Sequence, residues 1–286
     1  MKKIILPTDF SENAYNAIVY ALELFKNEEC TFYLLNTYTP VLYDSEYMYY
    51  TPTMSIDEVY KTNSTKGLDR LAKRIKREFD NPKHTIKKIS AFNFLTDEIN
   101  EQIDEKNIDL VVMGTQGATG AKEILFGSQT IHTIKKAKCP VLAIPSEYEF
   151  IPLKNILLPS DLSIGFKENQ LKLLRTLAVE NQVDLHILHI MEGDTLTPVQ
   201  EEGKHELSKY FKDVSLHFHF EKGDDIQHGI VEFQKKNPVE ILCMINNKHS
   251  FFENLFFRPV VHKVGFQVKV PFLVIPSGKF STRSLI

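Results

Sequence analysis

The chain repeats itself, and this internal repeat constrains the fold more than any single motif does. The segment KKIILPTDF at positions 2–10 returns as KNILLPSDL at positions 154–162, and Thr31–Tyr38 aligns with Val183–Ile190 at the same offset. Near the end of each half, PVLAIP at positions 140–145 returns as PFLVIP at positions 271–276. The repeat indicates two similar units within the 286 residues. We predict domains at residues 1–148 and 153–279.

Each unit alternates short apolar strands with helical patterns. Such alternation indicates a parallel sheet covered by helices on both faces. The predicted fold class is therefore α/β, with two tandem Rossmann-like domains, each a five-stranded parallel sheet flanked by helices, for which we take the doubly wound strand order 3-2-1-4-5. In that order the first and fourth strands are neighbours, and a ligand crevice lies beyond their carboxyl ends.

A glycine-rich stretch follows the fourth predicted strand. Gly114 ends that strand, Gly117 follows after two residues, and Gly127-Ser128 follow after nine more, directly before a helical pattern. Glycine lets backbone N–H groups approach a ligand closely and permits positive φ. The first turn of a helix also offers unpaired N–H groups and a dipole that favours an anion. The stretch predicts a phosphate cradle, although a glycine-rich turn with a serine cap explains the same residues.

The spacing G-x2-G-x9-G-S, in this strand and helix context, resembles the nucleotide-binding signature of the universal stress protein family in its ATP-binding branch. The resemblance covers nearly the whole chain as two tandem copies, and it implies the variant of the Rossmann-like fold shared with adenine nucleotide alpha hydrolases. The stretch is not a Walker loop, because no Gly-Lys-Ser/Thr occurs, and the glycine spacing does not fit the dinucleotide fingerprint.

The resemblance implies a role for each matching residue. Residues after the first strand would hold the adenosine part, the backbone after the second strand would meet the adenine, and glycines and hydroxyls would hold ribose and phosphates. The candidate nucleotide-binding residues, in chain order, are Pro7, Thr8, Asp9, Thr37, Met113, Gly114, Gly117, Gly127, Ser128, Gln129 and Thr130. Asp9 also fits a purely structural role as a helix cap or turn former.

The second half departs from this signature. In an ungapped alignment, Gly114 becomes Ile245, Gly117 becomes Lys248, and Gly127-Ser128 becomes Arg258-Pro259. Proline has no N–H to offer, and a β-branched isoleucine does not take positive φ cheaply. The sequence therefore predicts one nucleotide site per chain, in the first half. The Phe-rich segment 251–257 that replaces the cradle fits either core packing or an apolar interaction surface.

The composition of the chain limits which cellular compartment and which classes of partner are expected. A net charge of −3 gives no reason to expect a nucleic acid partner. The N-terminus has only three apolar residues in a row before Pro7, too few for a signal-peptide core, and no apolar run approaches the length of a membrane span. The three cysteines are scattered, which fits a reducing cytoplasm. His217 and His219 share one face of a predicted strand, but we found no carboxylate or cysteine to complete a metal site, so none is expected.

In universal stress proteins, copies commonly pair through their last strands, which here are Val141–Ile144 and Phe272–Ile275. The resemblance therefore implies a pseudo-dimer within one chain, with further homodimerisation left open. A Tyr-rich segment at positions 39–53 is predicted to be a lid, a partner surface or a packed loop.

Together these observations predict a cytoplasmic universal stress protein that binds ATP or another adenine nucleotide, with or without Mg²⁺. It would act in the stress response as a nucleotide-dependent regulator of an unknown protein partner. Two alternatives stay open. One is a slow ATPase or an enzyme that phosphorylates itself at Ser128 or Thr130, with Lys122, Glu123 and His132 nearby in sequence. The other is an interaction module that needs no nucleotide.

Overall fold

The computed structural model describes residues 1–39, 56–115, 126–163, 168–191, 193–223, 225–246 and 269–276. Among the sequence features discussed above, Gly117, Lys122, Glu123, Lys248, Arg258, Pro259, the Phe-rich segment and nearly all of the Tyr-rich segment lie outside these ranges. None of the described helices is long and apolar enough to cross a lipid bilayer.

Strands and helices alternate through both halves. The first half contains β1 Lys2–Pro7, α1 Glu12–Leu24, β2 Cys30–Tyr38, α2 Ile56–Glu78, β3 His84–Phe92, α3 Leu95–Lys106, β4 Leu110–Gly114, α4 Ser128–Lys136 and β5 Val141–Ile144. The second half contains β6 Asn155–Pro159, α5 Glu168–Glu180, β7 Asp184–Met191, α6 Pro198–Tyr210, β8 Ser215–Lys222, α7 Ile226–Lys236, β9 Ile241–Asn246 and β10 Phe272–Pro276.

All described strands join one ten-stranded sheet of order β3-β2-β1-β4-β5-β10-β9-β6-β7-β8. The pairing is parallel within each half, so the predicted order 3-2-1-4-5 is confirmed in both halves. β5 and β10 pair antiparallel, with Leu142 opposite Leu273. This junction joins the halves through their last strands, as expected, and covers two sheet edges that would otherwise be exposed.

Hydrophobic cores lie on both faces of the sheet and run through both halves. Leu6 and Leu158 belong to the core on one face, and Ile5 and Leu157 belong to the core on the other. Successive residues of β1 and β6 are thus buried on opposite faces, as expected for parallel strands covered by helices on both sides.

The strand register corrects one detail of the sequence repeat. Pro7 lies opposite Leu35, whereas Pro159 lies opposite Leu188. The counterpart of Asn36 is therefore His189, so the constant offset used for the second strand was wrong by one residue. The second half has one more residue between its first two strands, which an ungapped comparison cannot detect.

A histidine cluster lies across β7 and β8 near the edge of the sheet. His186 Nδ1 lies 3.0 Å from His219 Nε2, and His186 Nε2 lies 3.1 Å from Asn155 Oδ1. The ring of His217 stacks on His186, and its Nε2 lies 3.3 Å from Asp184 Oδ1. Asp184 thus places one carboxylate beside His217. Within the described residues, no three His, Cys, Asp or Glu side chains are arranged to hold a metal ion.

Burial favours neutral imidazoles at His186 and His219 in the folded protein. Burial lowers the pKa of His186, and positive charge on His219 and His217 would lower it further. Burial also lowers the pKa of His219, again with a contribution from His217. Two imidazoles in hydrogen-bond contact share one proton readily, but a second proton adds like-charge repulsion.

We expect the histidine cluster to make stability depend on pH. Because the folded pKa values lie below the ordinary value of 6.5, the unfolded chain binds more protons, and the free energy of unfolding falls as pH drops below that value. Urea unfolding at about pH 7.5 and about pH 5.5 measures this loss, in the range where histidine titrates. His219→Gln should reduce the loss.

The matched control for this prediction is His205→Gln, which changes an exposed histidine on α6. This variant should lose as much stability at the lower pH as the wild-type protein. An equal loss in His219→Gln would show that the cluster does not control the acid sensitivity.

Candidate functional site

A cavity of about 400 Å³ opens at the carboxyl ends of β1, β2 and β4. This volume lies within the usual range for small-molecule sites. The described candidate residues all line this cavity: Pro7, Thr8, Asp9, Thr37, Met113, Gly114, Gly127, Ser128, Gln129 and Thr130. The structure therefore brings together residues that the sequence separates widely, while Gly117 lies outside the described residues.

The turn after β1 is held by its own side chains. Thr8 Oγ1 accepts a hydrogen bond from the Phe10 N–H at 2.9 Å, and Asp9 Oδ1 accepts one from the Ser11 N–H at 3.0 Å. Ser11 caps α1 by accepting from the Ala14 N–H at 3.2 Å. Phe10 takes a left-handed φ of 66° within this turn. Asp9 thus has the structural role that the sequence allowed, and it is also an exposed residue of the cavity wall.

The same turn occurs after β6 in the second half. Ser160 Oγ accepts from the Leu162 N–H at 3.1 Å, and Asp161 Oδ1 accepts from the Ser163 N–H at 3.1 Å. Leu162 has a φ of 59°, matching Phe10. The turn is therefore part of the duplicated scaffold, and it does not by itself distinguish a binding half from a silent one.

The start of α4 faces the cavity without a side-chain cap. Its N-cap residue is Gly127, its first turn contains no acidic residue, and Lys135 and Lys136 lie in its last turn. The first N–H groups of a helix lack intrahelical partners, so those of Ser128 and Gln129 are donors next to the cavity. The helix dipole makes this end favourable for an anion.

Gly127 itself contributes less to this donor group than the sequence predicted. Its N–H donates to the Thr115 carbonyl at 2.6 Å, so it is already used. Its φ of −58° is open to any residue, so positive φ is not the reason for glycine here. The cradle consists of the N–H groups that follow Gly127 in the first turn of α4.

Thr130 lines the cavity but is tied to the backbone. Its hydroxyl donates to the Gly114 carbonyl at 2.9 Å, and the residue is 3% exposed. Its proton is therefore committed to fixing the start of α4 against the end of β4. Ser128 and Gln129, by contrast, are exposed at the cavity.

Gly114 is required by packing. A Cβ at this position would lie 2.7 Å from Asn13 Nδ2 and 3.2 Å from the Asn13 carbonyl oxygen in α1. Its backbone does not take positive φ, so the stereochemical reason proposed from the sequence does not apply. Ile245 does lie at the equivalent position of the second half, because it pairs with Ile275 as Gly114 pairs with Ile144.

The start of α3 forms a different part of the cavity wall. Its N-cap, Phe94, provides no side-chain cap, and Asp97 and Glu98 lie in the first turn. These carboxylates offset the positive end of the helix dipole. Phe94 is 69% exposed, so this part of the wall presents an aromatic ring rather than an anion site.

Several wall residues were not predicted from the sequence: Ala14, Asn36, Thr39, Asn93, Phe94 and Leu95. Four of them follow or end the second and third strands, and the rule that ligands bind at the carboxyl ends of parallel strands could have found those. His132 does not line the cavity; its Nδ1 lies 3.0 Å from Thr96 Oγ1 and links α4 to α3.

In the second half, side chains fill the position that corresponds to part of this cavity. His189 is 4% exposed, and its Nδ1 donates to the Ser160 carbonyl at 2.9 Å. Gln200 Nε2 lies 3.4 Å from both His189 Nε2 and the Asp161 carbonyl oxygen. Leu162 is fully buried, whereas its counterpart Phe10 is 41% exposed. α6 therefore packs closely on the turn after β6.

Comparison with known proteins identifies the family. The sequence model described as the universal stress protein family matches residues 1–145. The chain therefore belongs to the universal stress protein family.

Two curated relatives from Methanocaldococcus jannaschii match half of this chain. The universal stress protein MJ0577 is 28% identical over 152 residues, which cover 50% of this chain and 94% of that protein. The universal stress protein MJ0531 is 32% identical over 148 residues, which cover 50% of this chain and 81% of that protein.

A solved structure matches both halves. A universal stress protein from Archaeoglobus fulgidus has a TM-score of 0.66 and 18% sequence identity, with 96% of each chain covered. At this identity the likeness shows the fold alone, and it covers both halves of this chain.

The contact between α6 and the turn after β6 can be tested with two glycines. Alanine normally stabilises a helix interior by about 1 kcal/mol relative to glycine. In Gly203→Ala the new Cβ would lie 2.0 Å from the Leu162 carbonyl oxygen, so we expect destabilisation. Overpacking of this kind costs about 1–3 kcal/mol, measurable by urea unfolding.

Gly193→Ala is the control, because a Cβ there meets nothing within 4 Å. It should leave the free energy of unfolding nearly unchanged. A Gly203→Ala protein as stable as the wild type would show that α6 does not press on the turn.

Proposed function

We propose that the first half of this universal stress protein binds ATP or another adenine nucleotide, one per chain, and that the bound nucleotide regulates its interaction with a protein partner in the stress response. The observation that carries the proposal is the uncapped, acid-free start of α4 at a cavity of about 400 Å³. Family membership and the glycine signature support it.

The start of α4 supplies the phosphate end of the proposed site. Asp9 is the one charged residue among the described residues of the cavity wall, so no described lysine or arginine neutralises the phosphates. Backbone N–H groups and the helix dipole would take that role. A Mg²⁺ ion would then enter with the nucleotide, held by phosphate oxygens, as is common for this ion.

The strand order sets the distance between the two ends of the proposed site. β4 and β2 lie on either side of β1, so their carboxyl ends are separated by two strand spacings, or about 10 Å. A nucleotide with its phosphates at α4 would reach the end of β2 with its base. Asp9 follows β1 between these two ends, where its carboxylate could accept hydrogen bonds from ribose hydroxyls.

A regulatory role fits the described wall better than efficient catalysis does. Asp9 is the only described wall residue with a carboxylate, and its Oδ1 already accepts from the Ser11 N–H. The Thr130 hydroxyl is committed to the Gly114 carbonyl, which disfavours it as a site of self-phosphorylation.

The described cysteines are all buried free thiols, which supports a cytoplasmic location.

The proposal predicts that a negative charge at Gln129 will weaken ATP binding. Gln129→Glu keeps the side-chain size and places an acid in the first turn of α4, where it favours the helix. The protein should therefore fold normally, while repulsion between carboxylate and phosphates raises the Kd for ATP about tenfold or more, as measured by calorimetric titration. Adenosine, which lacks phosphates, should bind both proteins equally.

Gln227→Glu is the matched control. Gln227 occupies in α7 the position that Gln129 occupies in α4, two residues after the N-cap, but it lies in the second half away from the cavity. This variant should bind ATP as the wild type does, with a stoichiometry near one. If wild-type protein shows no saturable ATP binding, the nucleotide proposal is wrong; if Gln129→Glu binds ATP normally, α4 does not hold the phosphates.

A further inference from the structure

The side chain of Asn36 has a fixed orientation in the wall of the cavity. Its Nδ2 donates to the Thr8 carbonyl oxygen at 2.7 Å. A carbonyl oxygen only accepts hydrogen bonds, so the nitrogen of this amide, and not its oxygen, must face Thr8. The two ends of the amide are therefore distinguished by chemistry, and Oδ1 points away from the turn after β1.

This orientation leaves a hydrogen-bond acceptor at the cavity. Asn36 is half-buried, lines the cavity, and within the described part of the chain its Oδ1 accepts no hydrogen bond. A carbonyl oxygen that loses water when a ligand enters must find a donor on that ligand, or the desolvation is uncompensated. The ligand should therefore carry an N–H or O–H group at this place.

The position of Asn36 selects which part of a nucleotide it meets. Asn36 lies on β2, and β1 separates this strand from β4 and the start of α4. With the phosphates at α4, the end of β2 receives the base. Thr37 and the aromatic ring of Phe94 border the same end of the cavity.

We propose that Asn36 determines base specificity by accepting a hydrogen bond from the 6-amino group of adenine. The inference rests on the proposed function, because it assigns one contact within the same nucleotide site. Adenine presents a donor at this position of the ring. Guanine and hypoxanthine present a 6-oxo acceptor there, which would face the Asn36 oxygen without a proton between them.

The second half shows that the donor side of this arrangement is structural. Its counterpart His189 likewise donates to the carbonyl of the turn, through Nδ1 to Ser160 at 2.9 Å. Both halves therefore keep the donor that holds the turn. In the first half this donor belongs to Asn36, a residue that lines the cavity, whereas His189 is buried and its Nε2 lies 3.4 Å from Gln200 Nε2.

The test compares three nucleotides that differ at the edge of the purine around position 6. ATP carries the 6-amino group, purine riboside triphosphate carries hydrogen there, and inosine triphosphate carries a 6-oxo group together with a proton on N1. Calorimetric titration of the wild-type protein should give the tightest binding for ATP. We expect about a tenfold weaker Kd for purine riboside triphosphate, which lacks the donor, and a further loss for inosine triphosphate.

Asn36→Ala should remove this discrimination, bringing the three Kd values within about twofold of one another. A purely structural role for Asn36 would instead weaken all three nucleotides by the same factor and keep their order, which would overturn the inference. Unfolding curves would establish whether the variant folds.

The wild-type titrations decide the matter even if Asn36→Ala does not fold. Equal binding of the three nucleotides by the wild type would show that Asn36 does not recognise the 6-amino group. The proposal of a nucleotide site would be unaffected by that result. No binding of any of them would contradict the proposed function instead, so the two failures are distinguishable.

Discussion

The cavity depends on how the start of α4 is fastened to the end of β4. The Thr130 hydroxyl donates to the Gly114 carbonyl, and the Gly127 N–H donates to the Thr115 carbonyl. These two hydrogen bonds hold the first turn of the helix at the carboxyl edge of the sheet. On the other side of β4, Gly114 lets α1 approach closely at Asn13. The helix start is thereby fixed before any ligand arrives, which lowers the cost of ordering the site on binding.

Duplication of this scaffold has produced two halves with different interiors. Both halves keep the strand order and the turn after the first strand, and their last strands join them into one sheet. The first half retains a cavity beside its turn, whereas α6 and His189 fill the corresponding place in the second. The second half completes the sheet, and the proposed nucleotide site lies in the first. This division is consistent with the general separation of fold and function.

The sequence predicted the architecture well because its signals are local and repeated. Apolar strands, helical periodicity and the internal repeat suffice for the alternating elements and for the two similar units. The strand order rested on the doubly wound pattern, and the junction between β5 and β10 was expected from the family resemblance. Their limit is seen at His189, where one additional residue between strands shifts the equivalence without disturbing the pattern. The contact of Asp184 with His217 was also not predicted, because it depends on the register between neighbouring strands.

The residues of the site were predicted, but their individual roles required three-dimensional contacts. The sequence cannot show that the Gly127 N–H is already bonded, that the Thr130 hydroxyl faces a carbonyl, or that Gly114 is needed by α1. Asn36 escaped notice because nothing in its local sequence distinguishes it from other strand residues. Its importance comes from the Thr8 carbonyl, which the fold brings next to it.

The central claim is that the first N–H groups of α4 hold the phosphates of a nucleotide, and amide NMR of isotope-labelled protein tests it most directly. The account predicts that ATP, but not adenosine, shifts the backbone amide signals of Ser128 and Gln129, while the signals of Ile226 and Gln227 at the start of α7 stay in place. Saturating ATP binding without any change at Ser128 and Gln129 would contradict the account.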